Sequence, residues 1–210
     1  MIQVVVFDVD GVLIRDGVFA AMLEKQGLTR ERTASFFQGG PFTECVLGNA
    51  DLKEAISPFL AEWGWRDSVD DLLRMWFEAD SVVNTDVTDV VAHLRRSGLS
   101  CFVASTQEAY RAAYLTNTMG LGLRFDGLFF SCHMLAKKPE AAFFATVTEQ
   151  IGTRPEQILF IDDHQANVDG ARAANWNAEL YSFGDDIESI LRAYQIPLPN
   201  SPPQQRSLGG

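Results

Sequence analysis

The chain has 210 residues, of which 47% are hydrophobic and 21% charged, a balance typical of globular proteins and not of disordered or collagen-like ones. Its length suits one domain, or one domain that carries an insertion. The formal net charge is −11 at pH 7 and no long run of Lys or Arg occurs, which disfavours nucleic acid or an anionic membrane surface as a partner. A small anionic substrate is not excluded, because local donors and a metal can outweigh the overall charge.

The cysteines and the apolar segments bear on location. Cys45, Cys101 and Cys132 are widely spaced and form no CxxC motif, so we expect buried reduced thiols and a cytoplasmic protein. The first residues lack the basic start and the long apolar run of a signal peptide. No stretch of about 18 apolar residues is present, so we expect no membrane span. The oligomeric state cannot be inferred from the sequence.

The first predicted element is a strand over residues 2–7, a nearly continuous β-branched run typical of a strand buried on both faces. The next strand of this quality, 99–104, follows only after a long interval with helical spacing of apolar residues. A parallel crossover needs only about a dozen residues and one helix. We therefore interpret residues 15–85 as a helical insertion and residues 86–96 as the ordinary crossover helix. Within the insertion, helices are predicted at 18–26, 51–60 and 69–79.

Strands and helices alternate after residue 98, with short connections. Strands are predicted at 99–104, 128–131, 158–161 and 179–181, and helices at 107–119, 139–151, 164–174 and 185–194. This alternation predicts an α/β fold, a doubly wound parallel sheet with a helical insertion. We assign residues 1–14 and 86–196 to the core domain, residues 15–85 to the insertion, and residues 197–210, rich in Pro, Gln, Ser and Gly, to a flexible tail.

Polar side chains follow four of the predicted strands. They are Asp8 and Asp10, then Ser105 and Thr106, then Lys138, and finally Asp162 and Asp163. Because the carboxyl ends of parallel strands meet at one edge of the sheet, we expect these side chains to converge. Clustered carboxylates repel one another, and an all-oxygen donor set beside a phosphate suits Mg²⁺. A carboxylate there can attack phosphorus and a second acid can transfer protons, so the pattern predicts phosphoryl transfer.

Four segments resemble the motifs of the haloacid dehalogenase (HAD) superfamily. The matching residues are Phe7-Asp8-Val9-Asp10-Gly11-Val12-Leu13 for motif I, Ser105 for motif II, Lys138-Pro139 for motif III, and Phe160-Ile161-Asp162-Asp163 with Asn167, Gly170 and Ala171 for motif IV. The resemblance extends over residues 2–190. It implies a Rossmann-like HAD core and, for the insertion, a C1-type helical cap of subfamily I that would rock about hinges near 14–17 and 82–86.

The resemblance also implies a role for each motif residue. Asp8 would be the nucleophile and Asp10 the general acid/base. Asp8, the Asp10 carbonyl and Asp163 would bind Mg²⁺. Ser105, Thr106 and Lys138 would bind the phosphoryl group, and Asp162 would support Lys138 or a metal-bound water. One departure from the family pattern concerns motif II, where Asn commonly follows the Ser/Thr but Thr106 and then Gln107 stand here. Either the Thr106 N–H or the Gln107 side-chain amide would bind in place of that Asn, or activity would be reduced.

These implications favour a Mg²⁺-dependent phosphatase that hydrolyses a small phosphorylated metabolite through an aspartyl-phosphate intermediate. A 2-haloacid dehalogenase, a phosphomutase and a non-catalytic regulator remain alternatives on the same fold. Asp10 and the Asp162-Asp163 pair disfavour the dehalogenase, and a carboxylate cluster that is costly without its metal disfavours the regulator. In the insertion, Trp63 and Trp65 would pack its core or line a pocket, and residues 36–40 would form a loop facing the site. The substrate itself is not readable.

Overall fold

Five parallel strands form the centre of the computed structural model, which describes residues 1–198. In the spatial order β3-β2-β1-β4-β5 these are β1 (Val4–Phe7), β2 (Ser100–Ser105), β3 (Gly127–Phe130), β4 (Ile158–Asp162) and β5 (Asn177–Leu180). Every residue of β1 and β4 is buried. Both strands therefore consist of apolar residues up to their carboxyl ends, without polar alternation. The predicted doubly wound parallel sheet is confirmed.

Five helices lie between β1 and the crossover helix. They are α1 (Val18–Lys25), α2 (Arg30–Phe37), α3 (Gly40–Val46), α4 (Leu52–Trp63) and α5 (Val69–Ala79). They enclose a hydrophobic cluster of their own, in which Phe36, Ile56 and Trp63 are buried. The helical insertion predicted with the fold is thus present.

Two of these helices differ from the sequence-based expectation. Residues 36–40, expected to be a loop, form the end of α2 and the start of α3, with only Gln38 and Gly39 between them. The segment before Phe36 is polar and gives no apolar periodicity. Its conformation depends on the ring of Phe36, which packs against those of Phe42 and Phe59 at 5.7 and 5.2 Å between centroids. Packing partners distant in sequence therefore stabilise a helix that local pattern does not predict.

Among residues 1–198, seven further helices flank the sheet: α6 (Thr85–Arg96), α7 (Ala109–Ala113), α8 (Leu121–Arg124), α9 (Ser131–Met134), α10 (Ala141–Ile151), α11 (Gln165–Ala173) and α12 (Ile187–Ala193). A π-helical turn over Tyr114–Thr118 continues α7, and a 3₁₀ turn over Pro155–Gln157 precedes β4. Successive side chains of a strand point to opposite faces. Val5 and Phe7 accordingly join one hydrophobic layer, and Val4 and Val6 join the other.

Two segments connect the insertion to the core, and they pair with each other. The Arg15 N–H donates to the Val82 carbonyl at 2.9 Å, and the Asn84 N–H donates to the Leu13 carbonyl at 2.8 Å. The buried Asn84 side chain also donates to the Tyr181 hydroxyl at 2.9 Å. Any movement at the predicted hinges would therefore involve both connections together.

The remaining expectations concern the chain end and the cysteines. Leu198 is buried against the core, and residues 199–210 of the predicted tail lie outside the described residues. All three cysteines are buried and free, as predicted. Within residues 1–198, no helix combines the length and the apolar character that crossing a bilayer requires.

Candidate active site

The carboxyl ends of three neighbouring strands bring the predicted site residues to one edge of the sheet. In the parallel register Phe7 lies opposite Val103 on one side and Ile161 on the other. The residue after Phe7 continues the pairing, because the Asp8 N–H donates to the Ile161 carbonyl at 2.9 Å. The acid that ends β1 and the acids that end β4 are therefore neighbours in space, although more than half of the chain separates them in sequence.

Lys138 joins two buried carboxylates. Its Nζ lies 2.8 Å from Asp8 Oδ2 and 2.6 Å from Asp162 Oδ2. Asp162 also accepts hydrogen bonds from the Asn167 amide at 2.9 Å and from the His164 N–H at 2.8 Å. Because these contacts occupy its oxygens, Asp162 holds Lys138 against Asp8 and is poorly placed to bind anything else.

Burial dominates the electrostatics of this group. Desolvation raises the pKa of Asp8 to about 7, although the nearby Lys138 charge opposes the shift. Burial alone would lower the pKa of Lys138, but attraction to Asp8 and Asp162 outweighs it, and the pKa is raised. The lysine is therefore held in its charged form. One ammonium group faces two carboxylates, which leaves an excess of negative charge that a bound cation would compensate.

Asp10 is bound by side chains that follow β2. The Gln107 amide donates to Asp10 Oδ2 at 2.5 Å and to Ser105 Oγ at 3.0 Å, so it links motif I to motif II. The Arg111 guanidinium lies 3.9 Å from Asp10 Oδ1. Burial raises the pKa of Asp10, while the Arg111 charge and the Gln107 hydrogen bond act in the opposite direction. Gln107, which follows the departing position Thr106, therefore supplies a side-chain amide beside Asp10 and Ser105.

The position of Gln107 depends on the insertion as well as on the core. Its backbone N–H donates to Ser131 Oγ at 3.0 Å, and Ser131 Oγ in turn donates to the Val46 carbonyl at the end of α3, at 2.6 Å. Ser131 is fully buried. A chain of hydrogen bonds therefore runs from the insertion through Ser131 to the backbone of Gln107, whose side-chain amide contacts Asp10.

Arg111 and Asp80 belong to the site although no motif contains them. The Arg111 guanidinium donates to the Phe77 carbonyl at 3.0 Å and to the Asp80 carbonyl, both at the end of α5. The Asp80 carboxylate accepts from the Phe19 N–H at 3.0 Å and so caps the start of α1. Sequence pattern places Arg111 only on the helix after motif II. The packing of that helix against α5 is what brings it to Asp10.

Asp163 lies directly beside the backbone of Gly11. A Cβ atom at Gly11 would lie 2.3 Å from Asp163 Oδ2, and Gly11 has a φ of 74°, so glycine is required on both counts. Burial raises the pKa of Asp163, and the contact of its Oδ1 with His164 Nδ1 at 2.8 Å opposes that shift. Asp8, Asp163 and the main chain before Gly11 thus offer oxygen donors of the kind that a hard divalent cation prefers. The residues present fit the implied Mg²⁺.

A second grouping of possible ligands shares Asp163 with this set. Among the described residues, ligand atoms of Asp162, Asp163 and His164 lie within 4.8 Å of one another. Asp162 is already engaged by Lys138 and Asn167. The grouping is therefore better understood as the edge of the same acidic site than as a separate one.

A cavity of about 450 Å³ opens between the insertion and this edge of the sheet. Its polar end contains Asp10, Thr106, Gln107 and Arg111. Asp8 is only 6% exposed and does not belong to the lining. A larger hollow of about 720 Å³, near Arg95 and Asp126, contains none of the motif residues. The smaller cavity is therefore the one that the predicted chemistry can use.

The aromatic residues of the insertion divide between its core and this cavity. Phe37 and Gln38 line the cavity, in agreement with the expectation that residues 36–40 face the site. Trp63 and Trp65 are absent from the lining. Trp63 is buried and stacks on Phe37 at 5.8 Å between ring centroids, so it packs the core of the insertion.

Comparisons with known proteins place these features in a family context. A family model described as haloacid dehalogenase-like hydrolase matches residues 2–175. A drimenol cyclase of Aspergillus calidoustus is 36% identical over 67 residues, which are 32% of this chain and only 13% of that protein. A phosphoglycolate phosphatase of Pectobacterium atrosepticum is 23% identical over 195 residues, which cover 87% of this chain and 82% of the relative.

Solved structures resemble the chain over most of its length. A HAD family enzyme of Bacteroides thetaiotaomicron, in complex with magnesium and inorganic phosphate, has a TM-score of 0.77 at 22% identity and covers 91% of this chain and 100% of its own. The L-2-haloacid dehalogenase of Xanthobacter autotrophicus, with chloropropionic acid covalently bound, has a TM-score of 0.65 at 22% identity and covers 94% of this chain and 85% of its own. At this level of identity both comparisons concern the fold.

Proposed function

The chain belongs to the haloacid dehalogenase-like hydrolases, and from this premise we propose that it is a Mg²⁺-dependent phosphatase of a small phosphorylated metabolite. The observation that carries the proposal is the pair of motif I acids, of which Asp10 lines the cavity and Asp8 is buried against Lys138. Asp8 is paired with Lys138 and Asp10 is bound by Gln107, so two carboxyl groups of one motif lie in different environments. Such a difference suits one acid to attack and the other to proton transfer. The relative named phosphoglycolate phosphatase supports the same reaction class.

In the proposed reaction an Asp8 carboxylate oxygen attacks the phosphorus of the monoester, and the bond from phosphorus to the leaving alcohol oxygen breaks. Asp10, in its protonated form, gives its proton to that oxygen. Its raised pKa supports this form. Asp10 then takes a proton from a water molecule that attacks the phosphorus of the aspartyl phosphate, and the bond from phosphorus to the Asp8 oxygen breaks. Phosphate leaves, and both acids return to their starting states.

The groups around the two acids would bind the phosphoryl oxygens and the metal. Ser105 Oγ accepts from Gln107, which leaves its own O–H to donate to a phosphoryl oxygen. Lys138 and Thr106 would be the other donors. Asp8, Asp163 and the Asp10 carbonyl would hold Mg²⁺. When bound, the ion supplies positive charge against the carboxylates and against the charge that develops on the phosphoryl group.

Replacing Asp8 with Asn tests the nucleophile. The variant Asp8→Asn keeps the size of the side chain but removes the attacking oxygen, so turnover of a generic aryl phosphate with Mg²⁺ should fall by roughly 10³-fold or more. Its circular dichroism spectrum and melting temperature should stay close to those of the unaltered protein. Asp169→Asn, at an exposed position on α11, is the matched control and should keep its activity. Undiminished turnover in Asp8→Asn would exclude the assignment.

Metal dependence distinguishes the phosphatase from the dehalogenase alternative, which shares the fold. EDTA should stop the release of phosphate, and added Mg²⁺ should restore it, because the acidic site needs a cation to bind a phosphate ester. Release of chloride from 2-chloropropionate without added metal, and no release of phosphate with it, would support the dehalogenase instead.

A further inference from the structure

The cavity above the two acids has one polar end and one apolar end. Beyond Asp10, Gln107 and Arg111, the lining includes some polar and charged residues and a group of apolar side chains from four helices of the insertion and the turns between them: Phe19, Leu23, Leu28, Phe37, Phe42 and Trp76. The phosphoryl group of a substrate would occupy the polar end. The alcohol part would then contact the apolar wall, because these side chains make up much of the lining beyond the polar residues.

The aromatic part of this wall is held in place by its own packing. The Trp76 ring stacks on Phe19 at 5.6 Å between centroids and meets the edge of Phe37 at 5.6 Å. Phe42 packs against Phe37 at 5.4 Å. Rings that support one another in this way form a preorganised surface, so an apolar ligand need not order them on binding.

The charges of the cavity disfavour a second anionic group on the substrate. Four acids belong to the lining, namely Asp10, Asp16, Glu24 and Asp80, against two arginines, Arg30 and Arg111. Arg111 is buried, lies 3.9 Å from Asp10, and donates to the carbonyls of Phe77 and Asp80. Its donors are therefore engaged inside the protein, and Arg30 is exposed. A carboxylate on the substrate would meet mostly like charge and apolar surface.

Binding of a cationic substrate group at the apolar end is also unfavourable. The Phe19 ring stacks on Trp76, and Phe42 packs edge-on against Phe37 and tilted against Trp76, so one face of Phe19 is covered within the wall. The aliphatic side chains of Leu23 and Leu28 complete it. A buried ammonium group would lose its hydration there, and these apolar side chains offer it no carboxylate partner.

We propose that the leaving alcohol of the substrate is an uncharged, predominantly apolar group, aromatic or branched aliphatic, that packs on the wall formed by Phe19, Leu23, Leu28, Phe37, Phe42 and Trp76. The proposal rests on the phosphatase function above and adds a substrate class to it. Each methylene group buried on this wall should raise kcat/KM about fourfold.

A substrate series with Mg²⁺ tests the inference. Kinetics are measured for ethyl, butyl and 2-phenylethyl phosphate, whose alcohols differ in apolar size, and for phosphoglycolate and phosphocholine, which add an anionic and a cationic group. We expect kcat/KM to rise from ethyl to butyl to 2-phenylethyl phosphate and to be at least tenfold lower for both charged esters than for 2-phenylethyl phosphate. An equal or higher value for either charged ester would overturn the inference.

Turnover of acetyl phosphate tests the phosphatase function independently of the apolar substrate class, because its leaving group is too small to contact the apolar wall. Turnover of acetyl phosphate together with a preference for a charged ester would leave the phosphatase intact and refute the apolar substrate class. Absence of turnover with acetyl phosphate and with every ester would refute both.

A matched pair of variants examines the wall directly. Phe42 lines the cavity, whereas Phe59 lies in the same helical insertion, packs against Phe36 and does not line it. In Phe42→Ala, the ratio of kcat/KM for 2-phenylethyl phosphate to that for acetyl phosphate should fall about tenfold, mainly through KM, since binding area is lost. In Phe59→Ala the ratio should not change. Equal ratios in the two variants would contradict the proposal. If Phe42→Ala melts at too low a temperature to be assayed, kcat/KM values that do not rise along the substrate series of the unaltered protein would contradict it instead.

Discussion

The polar end of the cavity, taken together with the buried acids of the sheet edge behind it, differs from the apolar end in the contacts that hold its side chains in place. At the sheet edge, Lys138 contacts both Asp8 and Asp162, and Gln107 contacts Asp10, so each buried polar group depends on its neighbours. At the insertion end, the rings of Phe37 and Trp76 contact other apolar side chains. Removing one member of a buried charged set leaves the others uncompensated, whereas trimming an apolar wall loses energy in proportion to the area and volume removed. The polar end should therefore respond to substitution far more sharply than the apolar end.

Replacing Lys138 should have the largest effect on the stability of the folded protein. Lys138→Met keeps the length of the side chain but leaves Asp8 and Asp162 buried without their counter-charge, so the free energy of unfolding at neutral pH should fall by about 3–5 kcal/mol. Urea unfolding measures this loss. Lys137→Met, at the preceding and only half-buried lysine, is the control and should lose no more than about 1 kcal/mol. Similar losses in the two variants would show that the polar end is not interdependent.

Replacing Gln107 should have an intermediate effect on activity. Gln107→Ala removes the amide that bridges Asp10 and Ser105. Asp10, the proposed general acid, would then lose its positioning, and kcat should fall by roughly 10–100-fold with little change in KM. The pH profile of kcat should shift as well, because the Gln107 hydrogen bond lowers the pKa of Asp10 and its loss would raise it. Gln165→Ala removes an exposed amide that contacts Asp169 and serves as the control. A rise in KM alone would assign Gln107 to binding.

The smallest effect, a change in how stability depends on pH, is expected for Asp80, which lies between the polar and the apolar end of the cavity. Burial raises the pKa of Asp80 above 3.8. A carboxyl group with a raised pKa stabilises the folded state below its unfolded pKa and loses this contribution as the pH rises through its folded pKa. Asp80→Asn keeps an oxygen for the Phe19 N–H but does not ionise. Its stability relative to the unaltered protein should therefore increase from pH 4 to pH 7, as urea unfolding would show. A flat difference would contradict the direction of the shift.

The strands of the core and the polar residues that follow them could be predicted from the sequence, because both depend on local patterns of residues. A strand buried on both faces must be a continuous apolar run, and the acids after it can only lie at the edge where parallel strands end. The order of Asp8, Ser105, Lys138 and Asp162 along the chain therefore predicted which side chains would meet, and in the structure Lys138 contacts both Asp8 and Asp162. The roles of these residues in the reaction remain predictions.

For the insertion, the sequence predicted helical structure but not the position of every helix, because those positions depend on packing. Helix α2 is polar over most of its length, and its place is set by contacts of Phe36 with rings that lie later in the chain. Arg111 shows the same limit, since nothing near it in sequence predicts that its guanidinium meets the end of α5 and approaches Asp10. The sequence therefore determined the parallel sheet and the acidic edge, because strand burial and strand ends leave local patterns, and it predicted the class of chemistry. The apolar wall and the bridging roles of Gln107 and Arg111 appeared only in three dimensions, because side-chain contacts between helices distant in sequence leave no such pattern.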